Sequence, residues 1–211
     1  MVIYDGCLEV KHMRRMSFLF GSMGLMVLGL SVAHAAVPSG GPTNMGQSYL
    51  SITDYSGGYS RYFGNRLTGP GVRLSWAFAT HVFVTASYAH LTLAHSGIGL
   101  HRAGVGVGYV ANPTGWVSAY VETDFIRSTM HPPVGSRVDD YWKVLYGIRQ
   151  NINRTFEVDF GLYTELNQHW GSRGFGAELG AGANWGPFQL GADYDHNSDV
   201  NAILFHLRWF W

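Results

Sequence analysis

The chain closes on AILFHLRWFW, residues 202–211, and every second residue of that stretch is large and apolar: Ile203, Phe205, Leu207, Trp209 and Trp211. Between them stand His206 and Arg208. Alternation with a period of two is the mark of a β-strand with one apolar face. Left uncovered, such a strand is an aggregation hazard. A second sheet or a lipid bilayer must cover it, and the rest of the sequence decides which.

The same alternation recurs through the chain after residue 36, in segments of about ten residues divided by turn signals. Ten such segments are expected as strands: 48–56, 71–79, 81–91, 100–110, 116–127, 138–150, 155–166, 174–185, 188–196 and 201–211. Boundary uncertainty leaves eight or twelve open as counts. The connections alternate in length. Tight links are expected at Thr80, ANPTG (111–115), NINR (151–154) and Gly186-Pro187. Longer polar links are expected at GGYSRYFGNRLTGP (57–70), AHSGIG (94–99), STMHPPVGSR (128–137) and NQHWGSR (167–173), with a shorter one around NSDV. Short turns on one side and longer loops on the other is the pattern of a transmembrane barrel. The fold class expected is all-β, a closed antiparallel up-and-down transmembrane β-barrel over residues 48–211.

The two faces of the strands separate a bilayer from a sandwich core. One parity gathers Arg73, Arg102, Lys143, Arg149 and Arg208 with Glu122, Asp124, Glu157, Asp159, Glu178 and Asp193. Cations and anions nearly balance there, as a narrow lumen requires, because an unpaired charge out of water costs several kcal/mol. Gly104, Gly106, Gly108, Gly176, Gly180 and Gly182 share this parity and leave room for long side chains opposite. On the other parity, Trp76, Phe78, Tyr109, Trp185, Phe188, Trp209 and Trp211 are expected near one rim, and Tyr55, Phe125, Trp142, Phe175 and Tyr194 near the other. Aliphatic residues fill the space between, so that every strand offers a face that lipid tolerates. Two aromatic girdles around an aliphatic band match the two interfaces of a membrane.

Composition agrees. The chain has 211 residues, 28 of them Gly, with 15% aromatic and only 13% charged residues. Soluble domains run near ~25% charged. With 14 basic and 14 acidic residues there is no polybasic patch for nucleic acid. The start of the chain carries a basic Met13-Arg14-Arg15-Met16, an apolar run FLFGSMGLMVLGLSV and the small-x-small Ala33-His34-Ala35. These read as a secretory signal peptide cleaved near Ala35. Residues 1–35 are therefore an upstream extension and signal peptide, with Met13 favoured over Met1 as the start, and 36–47 a short periplasmic segment. The apolar run is shorter than the ~20 residues that a spanning helix needs. Cys7 falls in the removed part, so the mature chain has no disulfide and no cysteine-based metal site. It keeps 11 basic and 12 acidic residues, a net charge of about −1.

With its signal peptide, glycine- and aromatic-rich strands such as HRAGVGVGYV and WKVLYGIRQNI, alternating loops and terminal LRWFW, the sequence resembles the small monomeric outer-membrane β-barrels of Gram-negative bacteria, the broad OmpA-transmembrane/OmpX-like superfamily. The resemblance implies a monomer in contact with outer-membrane lipid and lipopolysaccharide. It also implies that Phe205, Leu207, Trp209 and Trp211 face lipid and serve as the signal read by the barrel-assembly machinery. A peptidoglycan-binding domain is not seen after the barrel.

The leading expectation is a non-enzymatic barrel, with a role in envelope integrity or surface contact or as a narrow small-solute pore. No cofactor motif is present. Two enzymatic alternatives are weighed. His196-Asn197-Ser198-Asp199 is similar to the His-x-Ser-Asn arrangement of lipid A deacylases, with His196 and Ser198 expected on the lipid side, but Asp199 stands where Asn is needed. A loop protease like the omptins would use Asp139, Asp140, His131 and His196, which qualify only by location. His90, His95 and His101 match no metal-ligand spacing. A soluble periplasmic lipocalin-like binder would turn the apolar face inward and leave the Arg, Glu and Asp set outside.

Overall fold

The computed structural model describes residues 48–211, apart from 60–64, 80, 95, 97, 115, 133–134, 169–170 and 199. The signal peptide, Cys7 and the segment 36–47 lie outside the described residues, as do His95 and Asp199.

Ten strands follow one another: β1 (Tyr49–Tyr59), β2 (Asn65–Ala79), β3 (Val82–Leu93), β4 (Ile98–Thr114), β5 (Val117–His131), β6 (Arg137–Asn151), β7 (Phe156–Asn167), β8 (Ser172–Trp185), β9 (Phe188–Asn197) and β10 (Val200–Phe210). Each is antiparallel to its sequence neighbours, and β10 pairs with β1 from Tyr49↔Phe210 to Tyr59↔Val200, closing the barrel. Ten is the expected count. Closure leaves no free edge, which answers the hazard raised by the last strand.

The strands run longer than their alternation predicts, and the connections are correspondingly shorter. β2 begins at Asn65 rather than Gly71, β5 continues to His131, and β4 absorbs most of ANPTG. The stretches expected as long loops are in large part strand, so the connections at that end shorten to two to five residues, most of them still longer than the two-residue turns that dominate the other end. The reason is the neighbour. Asp54↔Pro70 and Gly57↔Leu67 continue the β1–β2 ladder through residues whose own preference is for turns. The β8–β9 hairpin turns on Gly186-Pro187, with Gly186 at φ 56°, the left-handed position that opens a type II′ turn. Trp185 and Phe188 stack across its base, ring centroids 6.3 Å apart.

Inside the barrel, aromatic rings lie over glycines on the adjacent strand. Phe83 faces Gly108, Tyr120 faces Gly147 and Tyr163 faces Gly176 in direct register. A Cβ at Gly108, Gly147 or Gly176 would fall 2.1–2.2 Å from those rings. Glycine at these positions is therefore a condition of the packing, and the ring in turn covers the bare backbone.

Candidate functional site: the barrel interior and its lipid-facing wall

A period of two sends successive side chains to opposite sides of the wall. Ile52 on β1, Trp76 on β2, Val105 on β4, Phe160 on β7, Leu179 on β8 and Leu207 on β10 are all on the outside and between 42% and 60% exposed. Trp76, Phe78, Trp185, Phe188, Trp209 and Trp211 ring the end where β1 starts and β10 finishes. Toward the other end Phe125 and Trp142 meet edge to face at 5.3 Å, with Phe175 and Tyr194 further round.

Two positions on β1 depart from the expected pattern. Tyr55 turns inward and packs against a leucine cluster, and Asp54 faces outward and is exposed. Asp54 is paired with Phe205, which has outward Ile203 and Leu207 on either side of it. A carboxylate thus stands within the apolar belt. The expectation that every strand offers a fully lipid-compatible face fails at β1. The register with β10 and β2 forces Ser51, Thr53 and Tyr55 to the inside, and side-chain polarity yields to it.

The interior is polar and paired. All eleven charged residues named from the alternation line one or the other of two cavities in it. Arg73 on β2 reaches Glu122 on β5, and Lys143 on β6 reaches Glu178 on β8, so both pairs tie together strands that are not paired in the sheet. Arg149, 5% exposed, binds Asp159 Oδ2 through Nη2 at 2.6 Å and through Nε at 3.0 Å, and lies 3.3 Å from Glu157 Oε1. Arg208 donates to Gln189 Oε1 at 2.9 Å and to Asp193 Oδ2 at 3.3 Å. Thr85 donates to Glu122 and lies 3.0 Å from Asp124, while Arg102 donates to the Tyr141 hydroxyl.

Other members of the network were not singled out from the sequence. Tyr120 donates to Asp159 at 2.9 Å, Tyr163 donates to Asp195 at 2.6 Å, Gln189 bridges to Glu157 at 3.0 Å, and His206 Nδ1 lies 2.9 Å from Asp193. Their parity places them inside, and this signal alone could have found them. The guanidinium of Arg173 lies 4.5 Å over the Tyr141 ring and pairs with Asp139. Arg173 is the extra residue where the β7–β8 register shifts, which lets it turn over the mouth.

A cavity of about 190 Å³ remains between these groups, room for roughly six waters at the liquid's ~30 Å³ each. At the end away from the start of β1, Leu67, Ala89, Leu91, Leu93 and Leu100 form a buried apolar cluster inside the wall of β2–β4, with Tyr55, Ile98 and Met130 against it. The lumen is layered: leucine at one mouth, ion pairs in the middle.

Apolar outside and ion-paired inside is the reverse of a soluble protein. The architecture is that of a closed ten-stranded antiparallel β-barrel with its apolar face turned outward. The lipocalin-like arrangement, with the apolar face inward and the charged set in solvent, is not what the strands adopt. No family model and no curated protein matches the sequence. Among solved structures the chain is similar to the N-terminal β-barrel domain of Pseudomonas aeruginosa OprF, with 10% identity, 78% of this chain and 98% of that chain covered and a TM-score of 0.43. It is similar to Neisserial surface protein A, with 11% identity, 78% and 96% covered and a TM-score of 0.40. It is also similar to the KdgM porin, with 9% identity, 76% and 99% covered and a TM-score of 0.46.

The residues weighed for enzymatic chemistry stand as follows. His196 is on the outside, its Nδ1 against Asn201 Oδ1 and its ring stacked on Tyr194 at 6.2 Å. Ser198 follows β9 in the turn to β10. Asp139 and Asp140 are engaged by Arg173 and Arg127. Among the described residues no group of three or more His, Cys, Asp or Glu is placed to hold a metal ion.

Proposed function

We propose that this protein is a non-enzymatic barrel of the Gram-negative outer membrane, exported by a signal peptide cleaved near Ala35, whose role is envelope integrity or surface contact rather than open diffusion. The observation that carries this reading is the interior. Ion pairs from Arg73 on β2 to Glu122 on β5 and from Lys143 on β6 to Glu178 on β8 lie inside the lumen, and the leucine cluster lies along the far mouth. Narrow barrels are filled by their own side chains, whereas those of ~16–18 strands hold an aqueous channel. In this reading the apolar wall contacts outer-membrane lipid and lipopolysaccharide, the barrel is a monomer, and Phe205, Leu207, Trp209 and Trp211 double as the signal for the assembly machinery.

Purified protein reconstituted in planar bilayers tests the closed lumen. The expected result is a quiet membrane. A second reading, a narrow small-solute pore, is favoured by the cavity between the ion pairs. Steady openings whose size changes in Arg149→Ala or Glu157→Ala would establish that reading instead.

A further inference from the structure

The outward faces of β2 to β5 are apolar from the end where β1 starts and β10 finishes, and they change character at one level. On β3 the outward series is Val82, Val84, Ala86, Tyr88 and then His90; on β4 it is Tyr109, Val107, Val105, Ala103 and then His101. On β5, Val117, Ala119, Val121, Thr123 and Phe125 lead to Arg127, Thr129 and His131, and on β2 the apolar steps end in Thr68 and Arg66.

Register brings three of these side chains together. His90 is directly opposite His101, and His131 lies opposite Gly99, two residues from His101 along the strand. The ring centroids of His90 and His101 are 4.4 Å apart, and those of His101 and His131 are 5.2 Å apart. The Tyr88 hydroxyl lies 2.7 Å from His101 Nδ1, a contact that orients that ring. Arg127, its side chain 60% exposed, grips Asp140 with Nε at 2.8 Å and Nη2 at 2.7 Å. Asp140 is thereby engaged, and the other carboxylate on this side, Asp54, stands on β1 beyond Pro70. The described strand positions of β7 to β10 present no outward Arg or Lys at the corresponding rim.

We propose that His90, His101 and His131, with Tyr88 and Arg127 beside them, form a docking site for a phosphate monoester on the headgroup of an outer-leaflet lipid. This rests on the outer-membrane reading above. The site lies where the apolar belt ends, at the depth of lipid headgroups, and it faces sideways into the membrane rather than toward the lumen. Charge complementarity selects the occupant. Protonated imidazoles in contact repel one another, and a phosphate with three acceptor oxygens bridges them. An anion held between these rings favours their protonated form, so phosphate affinity rises as pH falls.

The test uses the full-length mature barrel refolded in octyl glucoside. Boiled and unboiled samples are compared first; identical gel mobility overturns the membrane reading and this site with it. Intrinsic tryptophan fluorescence then follows titration with diphosphoryl lipid A, dephosphorylated lipid A and inorganic phosphate. The proposal expects diphosphoryl lipid A to bind at least about tenfold more tightly at pH 6 than at pH 8. It expects dephosphorylated lipid A to bind weakly at both, and inorganic phosphate to bind far more weakly than the lipid. The triple variant His90→Gln/His101→Gln/His131→Gln should keep the mobility shift and lose the pH step. Parent-like, pH-dependent binding by that folded variant, or equal binding of the dephosphorylated lipid, would overturn the site. Inorganic phosphate competing as an equal would assign the patch to free anions and overturn the lipid as its occupant.

Discussion

Arg149 is the residue on which the interior depends most. It is almost fully buried and serves two carboxylates, Asp159 and Glu157. Arg149→Ala leaves both without their cation, with only the neutral donors Tyr120 and Gln189, and breaking a buried pair in this way costs about 3–5 kcal/mol. The expected result is a clearly lower urea midpoint by tryptophan fluorescence; a midpoint like the parent's would mean that water already screens these charges. Gly147 makes the opposite point, because there the danger is an added atom. Its Cβ would lie 2.2 Å from Tyr120, which holds Asp159. Gly147→Ala should therefore destabilise by about 1–3 kcal/mol, as overpacked cores do, read in the same unfolding curve. Asp54 reverses the sign. Asp54→Leu removes a carboxylate from the lipid-facing belt and should raise the midpoint in vesicles. Most of this was legible from parity alone: once a strand is assigned, alternate residues must share a side. Tyr55 and Asp54 were not legible, because polarity points one way on β1 and the pairing with β2 and β10 points the other.

At the level of elements, the strands themselves could be read and their ends could not. Alternation marks a strand only where one side meets apolar surroundings, and beyond the belt both sides are polar. Residues 65–70 and 128–131 therefore look like loop, yet they continue the ladder because the neighbouring strand offers hydrogen bonds. The turn at Gly186-Pro187 was readable because its chemistry is local. The histidine row was not, since His90, His101 and His131 become neighbours only through the β3–β4–β5 register. For β10, the outward residues give a direct test. Leu207→Arg places a cation on the lipid face inside the tryptophan rim and should cost up to about 2–4 kcal/mol, measured by refolding into vesicles. Arg placed at Trp211, near the rim, should cost much less. Equal costs at the two positions would argue against a bilayer around this strand.

For the whole molecule, the inverted distribution of polarity predicts solubility only in detergent or lipid and a compact species that survives detergent until heated. Protein that stays in the soluble periplasmic fraction after gentle lysis would contradict the barrel's placement in a membrane. The seam offers a different kind of consequence. Trp211 donates its backbone N–H to the Ser48 carbonyl at 3.2 Å, and Tyr49 lies opposite Phe210. The first and last staves of the wall thus stand side by side, joined by the same lattice as every other pair. A few residues of spacer between them, with a new opening cut at the Gly186-Pro187 hairpin, would yield a circular permutant of the same shape. Where the cylinder is slit along its length is, for the finished object, a matter of manufacture.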